Sequence, residues 1–139
     1  MTISALFDEL GAPLNHLRQS WGSVREHDKS VFLRVWEDET KKLRERENKY
    51  FTWVIGMDFV DTSYGANERR RHVNLIRAGY KAYLIMCHAD GEGAPRKILG
   101  YDSEFVRVGG ELIEHEGQVR IELIERLPIR FVRPARGAA

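Results

Sequence analysis

Glu111-Leu-Ile-Glu114, a turn at Glu116-Gly117, and Val119-Arg-Ile-Glu-Leu-Ile-Glu125 make the clearest hairpin in the chain. Two strand-like runs separated by a short glycine-containing turn are what an antiparallel pair requires. Upstream of this hairpin, Ala82–His88 is an apolar, β-rich run suited to a central strand. The spacing then predicts a loop over Ala89–Pro95, a short strand over Lys97–Tyr101, another over Glu104–Val108, and a break at Gly109-Gly110. Downstream, Leu127-Pro-Ile-Arg-Phe-Val132 reads as an edge strand, because Pro128 cannot donate to an interior ladder.

The first half holds a second hairpin: Ser20–Arg25, a turn through Glu26–Ser30, and Val31-Phe-Leu-Arg-Val-Trp36. Val31, Leu33 and Val35 share one face of that strand, and Phe32, Arg34 and Trp36 share the other. Two aromatic rings around an arginine do not suit a plain solvent face, so that face is either covered or used for binding. Tyr50–Ile55 is again strand-like. Between them, Asp38–Lys49 has Leu43 as its only apolar residue, which predicts a solvated or mobile loop. Two helices complete the reading. A short one near the N terminus is capped by Thr2 or Ser4 and ended by Gly11; the principal one runs from an Asn67 cap to Ala78, with Gly79 behind it.

The expected fold class is therefore α+β: a strongly bent, mainly antiparallel sheet or small barrel, with one principal helix and a short N-terminal helix. Residues 1–132 form one domain and 133–139 a flexible tail. With 139 residues, 42% of them hydrophobic and 31% charged, the chain can bury a core without a metal or disulfide. Its single cysteine, Cys87, excludes a disulfide framework and any multi-thiolate site, and fits a small core residue. No apolar run approaches the roughly 20 residues of a membrane span. Met1-Thr-Ile-Ser4 lacks the basic start of a secretion signal, so a cytoplasmic protein without a membrane partner is expected.

Twenty-two basic residues nearly balance 21 acidic ones, but not locally. Lys41–Lys49 carries five cations against two acids, and Asn67–Lys81 five against one. Asp102–Glu125 reverses this, with seven acids against two arginines. A basic side with aromatic residues nearby suits nucleic acid, cations holding phosphate and rings stacking on bases. Mutual pairing of these charges on a solvated surface is the plain alternative. Lys41, Lys42, Arg69, Arg70 and Arg71 are the candidate phosphate contacts. The three arginines, placed at a helix start, would oppose the helix dipole, so replacing Arg69 and Arg70 with Ala should leave stability unchanged or slightly raised. Trp21, Trp36, Trp53, Tyr50, Phe51 and Tyr64 all fall in the first half. They form either core or a pocket for an unpaired base. Trp21 and Trp36 are the candidate base contacts, Trp36 because the acidic run Glu37-Asp-Glu39 places it at a strand mouth.

Enzyme signatures are sparse. Glu39-Thr-Lys41, with Asp28 upstream, matches part of a Mg²⁺-dependent nuclease pattern. The histidines show no metal-ligand spacing, Cys87 and His88 as strand neighbours point to opposite faces, and Gly91-Glu-Gly-Ala94 lacks the context of a nucleotide loop.

Asn15-His-Leu-Arg-Gln-Ser-Trp-Gly-Ser-Val24 with Val31-Phe-Leu-Arg-Val-Trp-Glu-Asp-Glu39 resembles a motif of small uncharacterised bacterial proteins. Glu68-Arg-Arg-Arg-His-Val73, Gly79-Tyr-Lys-Ala-Tyr83 and Arg96-Lys-Ile98 are similar to them too. Such proteins resemble the DNA-reading domains joined to HNH nucleases in modification-dependent restriction, whose architecture is similar to PUA-like barrels. The resemblance implies a reader domain, and no HNH motif accompanies it here. The expectation is a nucleic-acid-binding module, DNA more than RNA, sensing a modified or flipped base without cofactor or catalysis, alone or with a partner protein. A protein-interaction module working through the acidic hairpin, such as an inhibitor or immunity factor of a mobile element, is the second reading. A nuclease at Asp28, Glu39 and Lys41 is the third.

Overall fold

The computed structural model describes residues 2–58, 60–89 and 98–134. Eight strands form one mixed, mostly antiparallel sheet: β1 (Gly22–Arg25), β2 (Ser30–Trp36), β3 (Thr40–Leu43), β4 (Lys49–Gly56), β5 (Lys81–Ala89), β6 (Ile98–Tyr101), β7 (Phe105–His115) and β8 (Gln118–Pro128). Two helices accompany them, α1 (Ile3–Glu9) and α2 (Tyr64–Arg77). The strand order is β1-β2-β5-β7-β8-β4-β3, with β6 paired to β5. Only β2 and β5 run parallel. The sheet curls far enough for β2 and β4 to come into contact, yet they share no ladder and the barrel stays open at that seam.

The strand alternation sorts the core into two layers. Val31, Leu33 and Val35 of β2 pack with Leu84, Met86, Val54, Ile121 and, from α2, Ala66 and Val73. On the opposite face, Phe32, Ile85 and Cys87 are covered by Leu6, Phe7 and Leu10 of α1 and by Ile129 and Val132 after β8. The face carrying Phe32, Arg34 and Trp36 is thus covered at its Phe32 end. Arg25 ties the chain ends over that layer: its guanidinium donates to the Leu10 and Val132 carbonyls at 2.7 and 2.6 Å and pairs with Asp28 at 2.8 Å.

The bent, two-helix α+β architecture agrees with the sequence, and several details differ. Residues 40–43 are not a loop but a strand, and residues 44–48 form the turn that joins it to β4. Thr40–Leu43 pairs antiparallel with Lys49–Thr52, and Leu43 is buried beside Phe51 and Ile113. An edge strand needs one ladder and one buried contact, not the continuous apolar face a helix needs. The helix cap is Ser63, not Asn67: Ser63 Oγ accepts from the Ala66 amide at 3.2 Å. Gly109-Gly110 does not break β7 but lets it bulge, since a Cβ on Gly109 would come within 2.8 Å of Ile121 and 2.9 Å of Ala82. After Pro128 the chain turns into a 3-10 helix over Ile129–Phe131 rather than an edge strand. In the tail, Arg133 pairs with Glu9 at 3.0 Å, and residues 135–139 lie outside the described residues, as do most of the Ala89–Pro95 loop and Lys97. No described helix is long and apolar enough to cross a membrane.

Because Leu43 is what docks the β3 segment, Leu43→Ala should cost about 2 kcal/mol in urea unfolding. Limited proteolysis should then open residues 40–49 in the variant while sparing them in the parent chain. Early nicking there in the parent would show that this strand does not hold.

Candidate functional site

Helix α2 begins four residues earlier than an Asn67 cap would allow, and that shift changes what its arginines do. Arg69 becomes the sixth helical residue instead of lying at the helix start, and its side chain turns inward, 2% exposed. Its guanidinium donates to the Val54 carbonyl of β4 at 3.0 Å, to the Arg34 carbonyl of β2 at 2.6 Å and to the Trp21 carbonyl at 2.9 Å. It thereby spans the seam where β2 and β4 fail to pair. Burial pushes its pKa down to about 9, which leaves it charged at neutral pH. Arg69 is therefore a structural clip, not a free phosphate contact. Arg70 is also engaged, donating to Asn67 Oδ1 at 2.8 Å and to the Asp61 carbonyl at 2.5 Å. Arg71 is exposed.

Beside this clip a cavity of about 600 Å³ opens at the seam. Trp36, Arg34 and Val35 of β2, Trp53 of β4, Cys87 of β5 and Ile98 of β6 line it, together with Trp21, Arg18, Glu39, Asp61 and Arg69. All three tryptophans of the chain meet there. Each is half-buried, with part of its ring open to the cavity. Trp21 and Trp53 are tilted against each other at 6.5 Å, the Arg69 guanidinium lies 5.6 Å from the Trp21 ring, and the Trp53 indole N–H is fixed by Gln118 Oε1 at 2.5 Å. Trp21 also lies flat on the first turn of α2, where a Cβ on Gly65 would fall 2.1 Å from its indole nitrogen. Only glycine seats that ring.

The six aromatic residues of the first half are thus divided. Trp21, Trp36 and Trp53 converge, Phe51 is core beside Leu43, Tyr50 opens onto a different cavity, and Tyr64 packs on His16 at 5.4 Å. The Arg34 side chain makes no hydrogen bond or ion pair among the described residues, and burial lowers its pKa. Cys87 is buried and its thiol is pushed up to about 11, so it is no nucleophile at neutral pH. Asp61, at the mouth, is held below the usual carboxylate range by hydrogen bonds from Ser63.

Charge placement is partly resolved by pairing. Arg46 reaches Glu111 at 3.7 Å, Lys49 reaches Glu122 at 3.7 Å and Arg77 reaches Glu114 at 3.8 Å. The acidic hairpin is therefore partly neutralised by the basic segments, which weakens its claim as a partner surface. Lys41 and Lys42 remain exposed on β3 without a partner among the described residues. The nuclease candidates separate. Asp28 precedes β2, locked to Arg25, and Glu39 follows it, so roughly 20 Å of strand lies between them. Glu39 belongs to the cavity instead. Comparison of the chain with protein-family models, with curated proteins and with solved structures gives no match.

Replacing Arg69 with Met should destabilise the fold by about 3 kcal/mol, because three carbonyl groups at the seam lose their charged donor. An unchanged urea midpoint would show that the clip is dispensable. His72, the next buried group on α2, gives a pH signature. Burial and the Arg69 and Arg71 charges lower its pKa to about 4 from 6.5. The unfolded chain thus binds its proton first, and stability should fall by about 3 kcal/mol as pH drops from 6.5 to 4. His72→Leu should remove that part of the slope, and a parallel slope in the variant would assign it elsewhere.

Proposed function

We propose that this protein is a cytoplasmic nucleic-acid reader that takes one unstacked base, flipped from a duplex or present in a single strand, into the tryptophan-lined cavity. The observation that carries this reading is the convergence of every tryptophan in the chain on one open cavity. Buried core alone would not leave three indole faces half-exposed around an empty space, whereas base stacking requires such faces. The volume suits a small planar ligand such as a nucleobase with its sugar. Cations at the cavity and on the neighbouring edge supply the backbone contacts: Arg18 at the cavity, and Lys41, Lys42 and Arg71 on the surface. DNA is the favoured polymer on the resemblance of the Trp21 and Val31–Glu39 motifs to DNA-reading domains. A modified base is the ligand that resemblance implies. The reading includes no catalysis, and Cys87 offers no thiolate for one.

Electrophoretic shift at low salt with single-stranded and mismatched duplex DNA tests this directly. Trp36→Ala should weaken binding by at least about tenfold, the cost of losing one stacking face, in a variant that stays folded but melts earlier, because Trp36 also packs on the core layer of Phe32 and Cys87. Lys41→Ala with Lys42→Ala should instead weaken all sequences alike and reduce the salt slope by about one unit per lost phosphate contact. Equal binding by the parent chain and Trp36→Ala would remove the cavity from the account.

A further inference from the structure

The cavity has a single feature that its aromatic walls do not explain. Arg34 sits on β2 between Phe32 and Trp36, half-buried, and lines the cavity with a guanidinium that has no hydrogen-bond or ion-pair partner among the described residues. Of the more deeply buried arginines, Arg25 holds two carbonyls and Asp28, and Arg69 holds three carbonyls. Arg120 of β8, whose Nε and one terminal nitrogen find no partner among the described residues, does not line this cavity. A guanidinium that is half-withdrawn from water and offered no acceptor by the described residues is poorly satisfied, and burial disfavours its charge. Its five donors form a planar fork, which two adjacent acceptors on a flat ligand satisfy best.

Resting on the tryptophan-cavity reading above, we infer that Arg34 is a specificity-determining residue, and that the cavity takes a base presenting two neighbouring acceptors. Guanine meets this with O6 and N7, and cytosine with O2 and N3. Adenine places its amino donor beside N1 and N7 and leaves N3 an isolated acceptor, and thymine interrupts its two carbonyls with an N–H. A cationic ligand, the other common guest of tryptophan cages, is opposed by Arg34 and Arg69 together. Asp61, anionic at the mouth, can accept from the amino group that cytosine and guanine both carry.

The test uses five-nucleotide single strands whose central base is guanine, cytosine, adenine or thymine and whose flanking positions are abasic, with an all-abasic strand as control. Because all three tryptophans line the cavity, their fluorescence reports its occupancy without a label. Guanine- and cytosine-centred strands should bind about tenfold or more tighter than the other two. Arg34→Met should bring all four to within about threefold of each other, and Arg34→Lys, which keeps charge but loses the fork, should do the same. Equal binding of the four bases by the parent chain overturns the inference while leaving the tryptophan cavity as a base site. Selectivity surviving in a folded Arg34→Met overturns it equally, as does an all-abasic strand that quenches as well as the others. Quenching by none of the strands overturns this inference and the base-binding reading together. Should either variant fail to fold, the parent chain's ranking of the four bases still decides the matter.

Discussion

A single buried guanidinium sets the geometry on which everything else depends. The sheet curls until β2 and β4 touch but stops short of pairing them, and Arg69 answers the carbonyls left over on both sides. A fully closed barrel would have satisfied those groups with a strand ladder and sealed the wall. The clip satisfies them at one point and leaves a gap beside it. That gap is the cavity, and the residues that line it are the ones the seam brings together. The same side chain reaches the carbonyl of Trp21 and lies against its ring, so the closure of the fold and the placement of one stacking face are one interaction.

Helix α2 has to carry this clip to the right depth, and its start position is what does so. The Ser63 cap begins the helix so that Arg69 and His72 turn inward among apolar neighbours, while Arg71 stays outside. Gly65, in the first turn, gives Trp21 its place against the helix backbone. Small local choices at Ser63 and Gly65 therefore decide the position of a ring and a charge far apart in sequence. A long-range constraint of this kind is consistent with a rigid site, since the walls are strands and a helix rather than loops.

The general plan was legible in the residues. Alternation in Val31–Trp36 and Val119–Glu125, the punctuation at Glu116-Gly117 and Gly79, and the Thr2 cap all correspond to observed elements. Trp36 was identifiable as more than core, because the acidic run Glu37-Asp-Glu39 follows it directly at the strand end. Two things were not legible. Residues 40–43 have the composition of a solvated loop, and only pairing with β4 makes them a strand. Arg69 reads like its neighbours Arg70 and Arg71, and nothing in a run of three arginines says which one is buried. The hint was Gly65: a glycine in the sequence Ser63-Tyr-Gly-Ala reads as loop, but here it marks a close approach by another side chain inside a helix. Charge pairing between the basic segments and the acidic hairpin likewise depends on topology that composition does not carry.

The central claim is that a base occupies the space between Trp21, Trp36 and Trp53. The most direct measurement is an ¹⁵N-resolved NMR titration of the three indole N–H signals with a short single-stranded DNA at low salt. If the account is right, all three move along one saturating curve, together with the backbone signals of Arg34 and Val35. Shifts confined to the surface around Lys41 and Lys42, with the indole signals fixed, would contradict it.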